Sequence, residues 1–99
     1  MKQYEIVYTE ESVENLNQVF RYIHDDCAAP ATARIYMEEL KAEVERLRVC
    51  AGVFSPNLRL TEQIGFEVRR LNYKKMAVLY SIVDNRVIVL SILPQSLLK

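Results

Sequence analysis

Residues 76–83 constrain the fold most, because they are apolar on both faces of any strand they form. β-Branched and aromatic residues dominate this run, which favours a strand. Side chains alternate between the two faces of a strand, and both sets are apolar here. They are Met76, Val78, Tyr80 and Ile82 on one face and Ala77, Leu79 and Val83 on the other. Such a strand is covered twice, so we expect helices on one face of its sheet and another layer on the opposite face.

The rest of the C-terminal half predicts partners for this strand. Phe66 to Leu71 and Arg86 to Leu93 have strand composition. Asp84-Asn85 is predicted as a two-residue hairpin turn, since Asp and Asn tolerate positive φ. Leu58 to Leu60 is predicted as a short edge strand. These segments together predict an antiparallel meander.

The N-terminal half predicts one strand and two helices. Tyr4 to Tyr8 reads as a strand, and Thr9 as the N-cap of the first helix. Pro30 suits the first turn of the second helix, and Gly52 is predicted to end that helix in a left-handed cap. Each helix carries an apolar stripe at spacings of three and four. The stripes are Val13, Leu16, Phe20, Ile23 and Cys27, and then Ala33, Tyr36, Met37, Leu40, Val44, Leu47 and Ala51.

The predicted fold class is therefore α+β, with the order β-α-α-β-β-β plus the short edge strand. An αα-hairpin is expected to pack on one face of a mostly antiparallel sheet. A chain of 99 residues has room for one core, so a single domain over residues 1–99 is expected.

Composition bears on the location and the partners. Thirteen basic and thirteen acidic residues cancel, which argues against a surface wholly devoted to a polyanion but leaves room for a local basic patch. A net charge near zero also favours association, as a homodimer or in a hetero-oligomer.

Neither a signal peptide nor a stretch of about 20 apolar residues is evident, so a cytoplasmic protein without membrane contact is expected. Cys27 and Cys50 are interpreted as small hydrophobes in a reducing compartment, with a helix-to-helix disulfide as the alternative.

The usual signatures of catalysis are absent from the sequence. It has no Gly-rich phosphate loop, no metal-ligand spacing and no Ser/His/Asp arrangement, so we predict neither a metal nor a cofactor. His24 is predicted as a surface or boundary residue. The acidic residues of the second helix alternate with cations, which is typical of a solvated face.

The segment from Arg69 to Lys75 is the main candidate site. It holds four cations and Tyr73 at the end of one strand, its turn and the start of the next. A local positive patch with a stacking residue suits a nucleic acid or an acidic protein. The alternative is an ordinary charged hairpin tip that keeps a strand edge soluble.

Several segments resemble the RelE/ParE superfamily of bacterial toxins over nearly the whole chain. Residues 4–11, Tyr-Glu-Ile-Val-Tyr-Thr-Glu-Glu, run into an aromatic-rich helix that ends in Tyr22-Ile23, as in the first strand and helix of ParE-like toxins. Residues 29–33 resemble the family's entry to helix two. Residues 65–70 with 78–83 resemble its strand pair, and residues 92–96 resemble its final strand.

This resemblance implies the toxin of a type II toxin–antitoxin system, of the plasmid-stabilisation kind, neutralised by a cognate antitoxin protein. RelE-like members cut messenger RNA on the ribosome without a metal, whereas ParE-like members poison DNA gyrase. Residues 76–80, Met-Ala-Val-Leu-Tyr, lack the basic residue that RelE-like toxins place before this tyrosine, and residues 94–99 contain no tyrosine. Both departures favour the ParE-like branch.

Two sets of residues are predicted to carry this function. RNA cleavage without a metal needs a base and cations, and no base is evident beside the candidates. Those ribonuclease candidates are Arg69, Tyr73, Lys74, Lys75 and Arg86. Inhibition of gyrase needs only a binding surface, predicted at Arg69, Arg70, Tyr73, Lys74 and Lys75. A ribosome-dependent endoribonuclease, and a decayed toxin that only binds an antitoxin, remain the alternatives.

The antitoxin is predicted to bind leftover apolar surface. Leu93, Leu97 and Leu98, with the second face of the meander, are the candidates. The alternative is that these leucines complete the core or a homodimer contact.

Overall fold

The computed structural model describes residues 3–98 and contains a four-stranded sheet, four α-helices and shorter helical turns within that range. The strands are β1 (Glu5–Tyr8), β2 (Arg69–Tyr73), β3 (Met76–Val83) and β4 (Arg86–Pro94). The helices are α1 (Glu10–Arg21), α2 (Pro30–Glu45), α3 (Leu47–Cys50) and α4 (Leu58–Ile64). A π-helical turn, Tyr22–Asp26, follows α1, and 3-10 turns lie at Ala51–Val53 and Gln95–Leu97.

The sheet has the order β1-β4-β3-β2. β1 runs parallel to β4, with Glu5 opposite Arg86, and the other two pairings are antiparallel. The predicted α+β class with a mostly antiparallel sheet is confirmed. The predicted hairpin turn is confirmed as well, since Asp84 has a φ of 57°.

The start of α1 is set by Thr9, as predicted. Its Oγ1 accepts a hydrogen bond from the Ser12 amide at 3.2 Å and donates to the Val89 carbonyl at 2.8 Å. This second bond fixes the rotation of α1 against β4, so Ser12 and Leu16 are buried. The predicted stripe is therefore partly wrong, because the outward face carries Val13, Phe20 and Cys27, all of which are exposed.

The stripe predicted for the second helix is confirmed, with Leu40, Val44 and Leu47 almost fully buried. The helix is interrupted at Arg46, after which α3 and a 3-10 turn continue it. The predicted left-handed cap at Gly52 is wrong, because Gly52 lies within that 3-10 turn and its φ is not in the left-handed region. The glycine with a positive φ, 95°, is Gly65, which ends α4.

The predicted strand from Leu58 to Leu60 is wrong, because these residues begin α4. Asn57 is the N-cap, and its Oδ1 accepts the Leu60 amide at 3.0 Å. The residue of this segment that pairs with the sheet is Pro56, which forms an isolated antiparallel β-bridge with Arg69. β2 also starts and ends later than predicted, at Arg69–Tyr73 and not Phe66 to Leu71, because the chain must first leave the cap at Gly65.

Two clusters of buried side chains lie on opposite faces of the sheet. The larger one joins α1, α2 and α3 to the helix-side residues of the strands, including Val78, Tyr80 and Ile92. The smaller one contains Leu60, Val68 and Leu79, with Leu90, Leu93 and Leu98 packed against it. The second layer expected over β3 is thus supplied in part by α4 and the C-terminal segment. In the part of the chain from 3 to 98, no helix has the length and apolarity needed to cross a membrane.

Candidate partner-binding groove and basic hairpin

An apolar groove of about 570 Å³ opens between α1, α2 and the ends of β3 and β4. It exists because β1 has four residues and pairs with β4 only as far as Val89, so the second half of β4 has no strand on the edge that faces away from β3. The groove is lined by Asn15, Gln18, Val19, Tyr22 and Ile23 from the first helical segment, Tyr36 from α2, Met76 from β3, and Ile92, Leu93, Pro94 and Leu97. Apolar atoms make up most of this lining, so the groove suits an apolar segment of a partner.

The outer edge of β4 beside the groove is already hydrogen-bonded by side chains of α1. Asn15 Oδ1 accepts the Ile92 amide at 2.9 Å, and the Ser91 hydroxyl donates to the Glu11 carboxylate. Pro94, two residues further along, has no N–H to offer. A strand added at this edge would have to displace Asn15 from the Ile92 amide and would find no donor at Pro94, so the groove favours a helix over a strand.

The structure separates Arg69 from the rest of the basic run. Its guanidinium donates to the Phe54 carbonyl and, at 3.1 Å, to the Glu67 carboxylate. The side chain is only 17% exposed, and its Nε is buried without a hydrogen-bond partner among residues 3–98. Arg69 therefore holds the loop before α4 against β2.

Tyr73 and Lys74 form a cluster with two residues of α2. The Tyr73 hydroxyl donates to Glu39 Oε2 at 2.6 Å, and Lys74 Nζ lies 3.3 Å from the same oxygen. The Tyr36 and Tyr73 ring centroids are 5.9 Å apart, and Lys74 Nζ lies 5.6 and 5.4 Å from them. This cluster fastens the β2–β3 hairpin tip to α2 at one end of the groove.

The electrostatics of this cluster bear on catalysis. The hydrogen bond from Tyr73, reinforced by Lys74, holds the pKa of Glu39 below its usual value. The same hydrogen bond is the main cause that raises the pKa of Tyr73. Glu39 is the carboxylate that the sequence did not connect with the basic run, since the contact spans 34 positions. A carboxylate with a lowered pKa is a weak general base at neutral pH.

The remaining cations lie elsewhere. Arg70 alternates with Tyr73 along β2 and so projects from the opposite face, where its Nε donates to Asn72 at 2.7 Å. Arg86 lies 3.6 Å from Glu5 at the far end of the sheet from the hairpin tip. Lys75 is exposed beside Lys74. The residues predicted as one target-binding patch thus lie in separate places, and Tyr73, Lys74 and Lys75 stay together.

The three leucines predicted for the antitoxin also separate. Leu93 and Leu97 line the groove, and Leu97 is 68% exposed. Leu98 packs against the smaller cluster on the opposite face, and Leu93 contacts that cluster as well as the groove. The helical wall of the groove, above all Tyr22 and Tyr36, was not predicted from the sequence. The sequence feature that could have indicated them is a tyrosine next to the apolar residues of each helical segment. A tyrosine suits an exposed position that contacts a partner better than a core position.

Histidine and the cysteines have no evident part in this site. His24 Nδ1 lies 2.7 Å from the Asp25 carboxylate, and the ring packs against Phe20. Cys27 and Cys50 are both free thiols. Between residues 3 and 98 no three His, Cys, Asp or Glu side chains are grouped so that they could hold a metal ion.

Comparison with known proteins agrees with the fold. Residues 6–97 match the family model described as the ParE toxin of type II toxin-antitoxin system, parDE. No curated protein matches the sequence. Among solved structures, the chain is similar to one titled "Chromosomal ParDE TA system from P. aeruginosa", with a TM-score of 0.72 and 16% identity over 93% of this chain and 96% of that chain. This structural similarity supports the fold, and the family match covers nearly the whole sequence. The chain therefore belongs to the ParE toxin family of type II toxin–antitoxin systems.

Proposed function

We propose that this protein arrests growth by binding DNA gyrase and that a cognate antitoxin neutralises it by filling the apolar groove. The groove is the observation that carries the second half of the proposal. Its wall from Asn15 in α1 to Tyr22 at the start of the π-helical turn covers two helical turns, roughly 10 Å, which matches a short amphipathic helix laid alongside. Burial of such a helix removes exposed apolar side chains such as Leu97 from water.

Inhibition of gyrase by binding is supported by the chemistry of the hairpin. Tyr73, Lys74 and Lys75 offer cations and a ring for contact, while the adjacent carboxylate has a lowered pKa. Such a surface can bind a protein target without catalysing a reaction. The balanced net charge points the same way, because affinity for RNA rises with the number of phosphates neutralised.

A ribosome-dependent endoribonuclease is the second candidate, and one contact favours it. Glu39, Tyr73 and Lys74 together supply a carboxylate, a phenol and an ammonium within hydrogen-bonding reach. In that reading Glu39 takes the 2′-hydroxyl proton as the 2′-oxygen bonds to phosphorus, the P–O5′ bond breaks, Tyr73 gives its proton to the leaving 5′-oxygen, and Lys74 stabilises the phosphate. Replacing Glu39 with Gln removes the base and keeps the shape, so E39Q should abolish cleavage of message if this candidate is right.

The test is inducible expression of the chain alone, with a supercoiling assay on purified gyrase and a cell-free translation assay. Growth arrest with loss of supercoiling and intact translation supports the proposal. Blocked translation with cleaved message that E39Q abolishes replaces gyrase with RNA as the target. Unimpaired growth with both assays unaffected would leave a decayed toxin that only binds its antitoxin.

Neutralisation is tested separately with the product of the adjacent open reading frame. L97D places a charge in the groove, and V49D places the same charge at an exposed position of α3 outside it. We expect co-expression to rescue growth with V49D but not with L97D. Equal rescue of both variants would show that the antitoxin binds elsewhere.

A further inference from the structure

Lys74 has a backbone conformation that its side chain does not favour. Its φ is 52°, in the left-handed region. Glycine and asparagine enter this region more readily, and hairpin turns usually place them there. A lysine at this position therefore carries a conformational cost, which directs attention to what its side chain does.

The contacts of Lys74 inside the chain use only part of its capacity. Its Nζ lies 3.3 Å from Glu39 Oε2, but the Tyr73 hydroxyl occupies the same oxygen at 2.6 Å. Both side chains of the ion pair are about half exposed, and exposed ion pairs contribute little to stability. An ammonium group has three N–H donors, and hydrogen bonds to the Tyr73 hydroxyl and the Glu39 carboxylate take two of them, so one remains for an external acceptor.

The ammonium is also held in place at the rim of the groove. The Tyr36 ring beneath it lines the groove, and so does Met76, two residues further along the chain. The Gln95 side chain donates to the Lys74 carbonyl at 2.7 Å and to the Met76 carbonyl at 3.1 Å. With Lys75 beside it, two lysines against the one carboxylate of Glu39 leave one net positive charge at this end of the groove.

We propose that Lys74 selects the segment that fills the groove, by receiving the carboxylate of an Asp or Glu side chain on an amphipathic helix. This inference rests on the groove of the proposed function and adds the charge that its occupant must carry. A helix with an apolar face and one acidic residue near its end would bury its apolar face in the groove and place its carboxylate at the Lys74 ammonium. A nucleic acid would satisfy the ammonium and leave exposed apolar side chains of the groove, such as Leu97, in water.

The test uses a displayed library of 20-residue amphipathic helices with fixed apolar positions and randomised polar positions. The library is selected against the intact chain and against K74E, K75E and K74G. Binding that is lost with L97D identifies groove binders. For the intact chain we expect an enrichment of Asp or Glu of about tenfold at one polar position.

The variants separate the role of Lys74 from general charge. K74E should select Lys or Arg at that position, whereas K75E, with the same change in net charge, should keep the acidic preference. K74G tolerates a φ of 52°, so it should keep its circular dichroism and its melting temperature and yet lose the preference.

Each contrary result has its own meaning. Groove binders with no acidic preference, or an acidic preference that K74E retains, overturn the role of Lys74 and leave the groove as a docking site. Absence of any binder sensitive to L97D overturns the groove and this inference with it. Binding of a labelled single-stranded RNA that K74E abolishes, with no acidic preference among helices, assigns Lys74 to phosphate and overturns the proposal.

Discussion

Tyr80 shows how one hydroxyl group positions a distant segment of the chain. It lies on β3, its side chain is fully buried, and its hydroxyl donates to the Ala51 carbonyl at 2.7 Å. Ala51 belongs to the 3-10 turn that ends the second helical segment, so this bond ties the end of the helices to the centre of the sheet. Without it, a buried carbonyl would lose its donor.

Burial raises the pKa of Tyr80 from 10.0 to about 12. The folded state therefore holds the phenol proton more tightly, and the stability that this supplies is present below pH 10 and lost as pH rises towards 12. The loss amounts to about 2–3 kcal/mol across that range. Y80F should lower the free energy of unfolding by about 1–2 kcal/mol at pH 7 and flatten its fall above pH 10. Urea unfolding at pH 7, 10 and 11.5 measures both effects, and parallel curves for the two proteins above pH 10 would contradict this account.

At the scale of elements, two glycines that look alike in sequence have different roles. Gly65 ends α4 with a φ of 95°, and an added Cβ would meet no atom within 4 Å. Gly52 lies in a 3-10 turn, where an added Cβ would contact only the Tyr4 hydroxyl at an ordinary 3.6 Å. The two positions therefore differ in backbone conformation and not in the space available for a Cβ atom.

This difference predicts opposite effects for the same substitution. G65A should lower the free energy of unfolding by about 1–2 kcal/mol, because alanine is strained in the left-handed region. G52A should be neutral or raise it by up to about 1 kcal/mol, because it reduces the freedom of the unfolded chain. Thermal unfolding of the two variants at pH 7 gives the comparison. A G52A variant less stable than G65A would place the essential turn at Gly52, as predicted from the sequence.

The sequence correctly predicted those elements whose residues strongly favour a single secondary structure. The boundaries of β3 and the cap at Thr9 were correct, because a run of eight residues with seven apolar side chains and a threonine before two glutamates each favour one structure. Residues 58–60, Leu-Arg-Leu, fit a strand or a helix equally, and only the cap at Asn57 decides between them. The buried face of α1 was predicted wrongly in part, because a helical spacing of apolar residues assumes that the helix packs on an apolar surface. α1 packs instead beside the edge of β4, whose backbone groups form hydrogen bonds with Thr9 and Asn15.

The candidate site was predictable only in part. Alternation along β2 already separates Arg70 from Tyr73, so the division of the basic run could have been anticipated. The pairing of Glu39 with Tyr73 could not, because it depends on the position of α2 over a hairpin 34 residues away. The groove depends on the same three-dimensional arrangement.

At the scale of the whole molecule, the two faces of the sheet are covered unequally. The helix face carries the long, almost fully buried stripe of α2, whereas α4 on the other face contributes Leu60 as its buried residue. Local stability follows the buried apolar area, so the two layers should open at different free energies.

Native-state hydrogen exchange measures this difference. We expect the amides of Thr61 and Gly65, which bond within α4, to exchange at least about tenfold faster than those of Leu40 and Val44. L60A should accelerate exchange further in α4 and leave α2 nearly unchanged under native conditions. Equal protection of both layers would mean that the sheet and its two covers open as one unit.

The parallel pairing of β1 with β4 also decides how the protein responds to force. The two strands lie side by side and run in the same direction, although Glu5 and Arg86 are 81 positions apart. Tension applied before Glu5 and after Pro94 pulls them past each other along their length, so their hydrogen bonds are loaded together in shear and cannot be unzipped one at a time. β1, an edge strand and the shortest in the sheet, thereby acts as a mechanical clamp when the chain is pulled from both sides of this pair.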